Sequence, residues 1–365
     1  IPDPDPDPDP DPDPELSIDH KSTLVGNFGP KALISRGMTD LETWAREEVG
    51  HAELGDPRRA ARLTAMVAQV AAAPAGRVTQ VFQDPAEREA AFRFLENPRF
   101  TAKPILQAHQ RAVAQRAAAY PTVYVAIDQS ALQVTDRSGK AFGPIAAKHT
   151  NTGAQAMSAL VVSPCGTHLG LSSLEFWTRG AAPAPSFTDD NRAVEQRETQ
   201  YWLNAITETA ALFRASAAGT RPWLQLDRGA DSSHVLQTLA AADVTYTVRA
   251  CNNRYIRPRL GRTKLFERVR RQRRLGTFTL TVRRQNRHVT VPVEVRVARV
   301  VLELPTGPRR RGPYAPLAVT VVEAREVGTP ADPDEAVLWR LLTNHPVTTF
   351  ADARAVLDGY TMRWR

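Results

Sequence analysis

Two apolar runs in this chain each stop on an aspartate: Thr122-Val-Tyr-Val-Ala-Ile127 leads into Asp128, and Trp223-Leu-Gln-Leu226 leads into Asp227. A short run rich in β-branched and apolar residues reads as a strand buried on both faces. Further strands are expected at Ala156–Ser163, Leu169–Trp177 and Val244–Arg249, and helices from about Asn191 to Ala215 and from Ser232 to Ala242. Strands alternating with helices predict an α/β fold, in which residues just past the strand ends gather at one edge of the sheet. The pattern therefore predicts a core that presents two carboxylates at one sheet end.

The segments on either side differ from this core. From Met38 to about Ala119 the pattern is helical. Gly55-Asp56-Pro57 is a start signal, because Asp56 can cap free amides and Pro57 suits a first helical position. Leu63, Val67 and Val70 then fall at helical spacing, and Arg58, Arg59 and Arg62 are expected close together on the exposed surface, as a solvated basic face or one that contacts phosphates. A second helical stretch, Glu87 to Leu95, ends at Asn97-Pro98. Residues Arg254–Arg311 carry eighteen Lys and Arg against three acids, with strands expected at Thr277–Val282 and Val289–Leu304. That combination predicts an antiparallel β insertion, about residues 252–330, with one cationic face that contacts a polyanion. The chain closes with a strand at Val337–Leu342 and a helix from Phe350. Thr349 and Asp352 form its capping box, and Phe350, Ala353, Val356, Leu357, Tyr360 and Trp364 its apolar stripe.

Charge sharpens the reading. The formal net charge is +8, but residues 1–37 hold eight acids and three bases, which leaves 44 bases against 31 acids in the other 328 residues. So basic a body points to nucleic acid or an acidic membrane surface. Residues 2–14 alternate Pro and Asp and are expected to form an extended, solvated tail; the first methionine is Met38, so residues 1–37 are expected to lie upstream of the true start. Two cysteines, Cys165 and Cys251, exclude a disulfide framework and a four-cysteine zinc site, and a reducing compartment is expected. No apolar run is long enough to span a membrane and no signal peptide is present, so a soluble, cytoplasmic protein is expected.

No Gly-rich nucleotide cradle, Gly-x-Ser-x-Gly elbow or Cys/His cluster is present. What remains is metal chemistry through carboxylates, which on DNA uses two cations about 4 Å apart to activate the nucleophile and stabilise the leaving oxygen. Asp128 and Asp227 are the candidates, with capping of a turn or helix as the plainer role for each. Asp136 and Asp231 read as loop residues.

In order along the chain stand Trp44, Leu54-Gly-Asp-Pro-Arg-Arg-Ala-Ala-Arg-Leu63, Ala91-Phe-Arg-Phe-Leu-Glu-Asn-Pro98, Ala126-Ile-Asp-Gln-Ser-Ala-Leu132, Leu226-Asp-Arg-Gly-Ala-Asp231, Trp339-Arg-Leu-Leu-Thr-Asn-His-Pro-Val347 and Tyr360-Thr-Met-Arg-Trp-Arg365. This series resembles the DDE transposases of the Tn-five group within the IS-four insertion-sequence family. The resemblance implies a small helical DNA-binding domain over residues 38–119. It further implies a ribonuclease-H-like catalytic core over 120–365, interrupted by the β insertion, and homodimer formation on DNA. The implied partners are the inverted-repeat ends of a transposon and its target DNA, in a bacterial cytoplasm, with Mg²⁺ or Mn²⁺ as cofactor.

By the same resemblance Asp128 and Asp227 match the first two catalytic carboxylates, although Gln129 and Ser130 stand where the family more often has two threonines. Tyr360 and Arg363 match residues that bind end phosphates, Trp339 matches an indole that stacks on a flipped base, and Arg58, Arg59 and Arg62 match the region that grips the transposon end. The family's catalytic glutamate is expected two positions beyond Arg365, so this chain is expected to be an inactive fragment of a cut-and-paste transposase. The rival expectations are a non-catalytic DNA-binding protein or inhibitor derived from a transposase, and a nuclease of ribonuclease-H type that cleaves without joining.

Overall fold

The computed structural model describes residues 38–74, 76–134, 142–145, 151–179, 197–257, 263–284, 287–304, 314–328 and 336–364. The Pro-Asp segment and Asp136 lie outside them.

Five helices come first: α1 (Met38–Val49), α2 (Pro57–Ala72), α3 (Val78–Val81), α4 (Pro85–Leu95) and α5 (Lys103–Ala117). The Asp-Pro start signal expected at Asp56-Pro57 forms, and an unforeseen second one at Asp84-Pro85 starts the next long helix two residues earlier than expected. Asp56 accepts from the Arg58 amide at 2.9 Å and Asp84 from the Glu87 amide at 3.1 Å, each with proline at the first helical position. Leu54, Leu63, Met66, Phe82 and Phe94 close a small core among these helices. Val70 does not join it: in the last turn of α2 it is 45% exposed.

α5 packs against the sheet as well as against the other helices. Its Arg116 donates to the Leu169 carbonyl through Nε and Nη2, and its His109 Nε2 accepts from the Leu171 amide. Both side chains hold Glu48 of α1, through His109 Nδ1 at 2.7 Å and Arg116 Nη1 at 2.5 Å, so one buried carboxylate ties the helical region to the sheet.

Among the described residues that sheet has eleven strands: β1 (Thr122–Gln133), β2 (Gly143–Pro144), β3 (Thr152–Val162), β4 (His168–Trp177), β5 (Arg221–Leu226), β6 (Thr245–Arg249), β7 (Ile256–Arg257), β8 (Gly276–Arg284), β9 (Arg287–Leu302), β10 (Leu317–Glu326) and β11 (Leu338–Thr343). Their order is β2-β3-β1-β5-β6-β11-β10-β9-β7, with β4 on β3 and β8 on β9. β1, β5 and β6 are parallel, and all other pairings are antiparallel. The architecture is mixed α/β. The strands of residues 252–330 pair antiparallel, as expected, and extend the main sheet through β11.

The remaining helices are α6 (Thr199–Ser216), α7 (Ser233–Ala241), α8 (Leu265–Arg270) and α9 (Phe350–Thr361). Side chains alternate across a strand, so each strand feeds two cores. Val123, Val125 and Ile127 of β1 and Leu224 and Leu226 of β5 pack with Val113 of α5, Ile206 and Phe213 of α6, and Leu236 and Leu239 of α7. On the other face Trp223 packs with Trp339 and with Ala353, Val356, Leu357 and Tyr360 of α9.

The expected cationic face takes a different form. Arg257, Arg284 and Arg296, on or beside the strands, pair with Glu303, Glu326 and Glu294. Arg268, Arg270, Arg271, Arg273 and Arg274, at the end of α8 and in the turn after it, are exposed instead. A helix C-terminus tolerates this charge, because its free carbonyls favour cations.

Candidate active site

β1 does not end at Asp128 as expected; it runs on to Gln133, paired with β3. What ends there is burial, since Ile127 is fully buried and the residues from Asp128 onward are mostly exposed. Ile127 lies opposite Leu226 in the parallel β1–β5 pair, so Asp128 and Asp227 occupy the next step on adjacent strands. The period-two alternation points both away from the α6–α7 side and towards α9.

α9 starts from the foreseen box. Asp352 accepts from the amides of Thr348 and Thr349, both at 2.8 Å, and Thr349 Oγ1 accepts from the Asp352 amide at 3.2 Å. The helix then lies so close to β1 that a Cβ on Gly359 would stand 2.8 Å from Tyr124 Cε1. A short 3₁₀ turn, Met362–Trp364, comes next and delivers Arg363 to the strand ends.

There Arg363 Nη2 lies 3.1 Å from Asp128 Oδ2 and 3.9 Å from Asp227 Oδ2. The other oxygen of each carboxylate is held locally: Asp128 Oδ1 accepts from the Gln129 amide at 3.0 Å, and Asp227 Oδ1 from the Gly229 amide at 2.8 Å. Each aspartate is thus fixed by its own backbone and aims its second oxygen at one shared point. The Asp128 and Asp227 side chains are 51% and 37% exposed, while that of Arg363 is only 5% exposed. Burial pushes the Asp128 carboxyl above the usual range; Arg363 opposes the rise and the neighbouring Asp227 charge adds to it. The Arg363 guanidinium is held above its ordinary value, because Tyr360, Asp128 and Asp227 outweigh the effect of burial.

Tyr360 is 1% exposed, and its hydroxyl accepts from Arg363 Nη1 at 3.3 Å. Trp339 is also 1% exposed, its ring 5.8 Å from those of both Tyr360 and Trp364. That is the geometry of a core tryptophan supporting the turn that carries Arg363, and a base could reach its face only by displacing these rings. The exposed arginine cluster expected at the start of α2 is likewise corrected. Arg58 is exposed, but Arg59 Nη1 donates to the Leu54 carbonyl at 2.7 Å and Arg62 Nη2 to the Glu87 carbonyl at 3.0 Å.

Asp231, which reads as a plain loop residue, is fully buried through its side chain. Its Oδ2 accepts from the amides of Cys251 and Asn252, both at 2.8 Å, and its Oδ1 pairs with Arg254 Nη1 at 2.5 Å. It fixes the loop after β6 beside Asp227, and only its place in the Leu226–Asp231 string hinted at a role.

Two carboxylates converging on one cationic nitrogen form an oxygen-only donor set, which suits hard divalent cations such as Mg²⁺ or Mn²⁺. Among the described residues no group of three or more His, Cys, Asp or Glu side chains that could hold a metal ion comes together, so here the donor set is the two aspartates alone. No helix among the described residues is long and apolar enough to cross a membrane.

Residues 41–100, from within α1 to just beyond α4, match the protein-family model described as transposase DNA-binding. The match supports a transposase, and it supports DNA as the partner of the region that holds Arg58, Arg59 and Arg62.

Proposed function

We propose that this protein is a cut-and-paste DNA transposase of the DDE type, related to the Tn-five group of the IS-four family, with a ribonuclease-H-like core. The observation that carries the proposal is the convergence of Asp128 Oδ2 and Asp227 Oδ2 on one guanidinium nitrogen, in a chain whose residues 41–100 match a transposase DNA-binding family. The strand order supports the fold assignment, with three parallel strands (β1, β5, β6) at the centre and β3 and β4 antiparallel beyond β1.

In this reading Asp128 and Asp227 hold Mg²⁺ or Mn²⁺, which supplies Lewis-acid stabilisation of charge on the phosphoryl and leaving oxygens. Local backbone amides keep both carboxylates oriented before substrate arrives, so the carboxylates themselves need not reorient at that step. Arg363, positioned by the buried Tyr360 hydroxyl, places a phosphate of the transposon end. Trp339 acts through packing, by holding Tyr360 and Trp364. Arg58 and the exposed arginines 268–274 contact the DNA backbone, and these contacts weaken steeply with salt. The protein works as a homodimer on inverted-repeat ends and target DNA in the bacterial cytoplasm.

The resemblance implies a third catalytic carboxylate beside the two aspartates, so the test uses a form of the protein that carries it. Mg²⁺-dependent cleavage of end-bearing duplexes and joining of the 3′ ends are expected. Asp128→Asn and Asp227→Asn should each reduce both reactions to background while DNA binding persists; cleavage that survives either change refutes the assignment. The rival, DNA binding without cleavage, is favoured by one observation, the occupation of the carboxylate pair by Arg363. Binding with no cleavage in any divalent metal would establish it.

A further inference from the structure

We infer that Arg363 is a resident counter-ion of the metal site, so that the guanidinium and a divalent cation compete for the same two carboxylate oxygens. The inference rests on the reading of Asp128 and Asp227 as metal ligands. Three observations carry it. One nitrogen, Nη2, faces both inward oxygens at 3.1 and 3.9 Å, the position towards which both carboxylates are oriented. The guanidinium is almost fully buried there and carries a permanent charge, so it offsets one of the pair's two negative charges at any pH where the protein is folded. Its Nε, finally, is buried with no hydrogen-bond acceptor, although Nη1 and Nη2 both have partners.

A buried N–H without an acceptor is costly, and the fork of a guanidinium matches two oxygens of a phosphodiester. The present seat is therefore good for the carboxylates and poor for the arginine. A DNA phosphate delivered beside the turn Met362–Trp364 satisfies Nε and draws the guanidinium away. The two carboxylate oxygens are then left for a cation. Phosphate and metal binding become mutually reinforcing, since each removes the competitor of the other. Cleavage chemistry would then be armed only with DNA in place, and the metal-free protein would avoid two adjacent uncompensated carboxylates.

The test measures Mn²⁺ binding by the electron paramagnetic resonance of free Mn²⁺, with no DNA present. Arg363→Gln should bind Mn²⁺ at least about ten-fold more tightly than the unaltered protein, given the strength of a charge pair at this distance. Arg363→Lys, which keeps the charge, should stay near the unaltered protein, and adding Asp128→Asn to Arg363→Gln should abolish the gain. A DNA duplex should then tighten Mn²⁺ binding by the unaltered protein and not by Arg363→Gln; any other pattern overturns the gating. Equal Mn²⁺ affinity with and without the guanidinium overturns the counter-ion role and leaves the metal site standing, whereas no binding by either protein overturns both. If Arg363→Gln fails to fold, the unaltered protein decides. On Mg²⁺ titration the ¹⁵N resonance of Arg363 Nε should move in step with binding, and a resonance that stays fixed while Mg²⁺ binds overturns the inference.

Discussion

Arginines that bond backbone carbonyls in the helical region and arginines that pair with carboxylates around the sheet serve different ends. In the first, Arg59, Arg62 and Arg88 donate to the backbone carbonyls of Leu54, Glu87 and Phe82, closing loops between helices. In the second, Arg254 pairs with Asp231, Arg340 and Arg325 with Glu323, Arg284 with Glu326, and Arg363 with the two site aspartates. Glu323 and Asp231 are fully buried through their side chains, so there the arginine is what makes an ionised carboxylate tolerable inside the protein. A loop hydrogen bond can be exchanged for water; a buried charge has no such substitute. The contrast shows that the total of basic residues overstates the charge available for DNA, because part of it is consumed by buried carboxylates; Arg58 and arginines 268–274 are among those left exposed.

The largest effect should come from breaking a buried pair. Arg254→Ala, which strands the Asp231 carboxylate, is expected to cost about 3–5 kcal/mol in chemical denaturation. Arg59→Ala, which removes one hydrogen bond to the Leu54 carbonyl, should cost about 1 kcal/mol. Equal losses at the two sites would collapse the distinction.

Glu48, at the joint between the regions, gives the subtlest check. Burial pushes its carboxyl up, but hydrogen bonds from His109 and Arg116 and their charges prevail, and its folded value lies below the ordinary one. Stability from ionised Glu48 is therefore complete above the unfolded carboxylate range and is lost as pH falls through the lowered value. The melting temperature of the unaltered protein should exceed that of Glu48→Gln at neutral pH and converge on it in acid. A gap that widens on acidification would place the joint elsewhere.

What was legible in the sequence was local. The caps at Asp56 and Thr349 declare themselves through side-chain-to-amide spacing, and the apolar runs before Asp128 and Asp227 mark two adjacent buried strands. The strand β10, Leu317–Glu326, was not foreseen, although Leu-Ala-Val-Thr-Val-Val carries the same signal. Partner choice was the part that could not be read. Arg340 opposes Glu323 only because β10 and β11 pair in that register, and Arg62 reaches the Glu87 carbonyl only because α2 and α4 dock. The same holds at the site: Gly359 and Tyr360 fix where Arg363 falls by tertiary packing, and Trp339, a candidate base-stacking residue by resemblance, belongs to that packing.

In the proposed arrangement Asp128 and Asp227 form one cation site whose resident cation is Arg363. Crystals soaked in Mn²⁺ and measured for anomalous scattering test it most directly. A peak is expected between the two inward carboxylate oxygens, with the Arg363 guanidinium turned away from them. Mn²⁺ bound elsewhere, with Arg363 still seated on both aspartates at saturating metal, would contradict it.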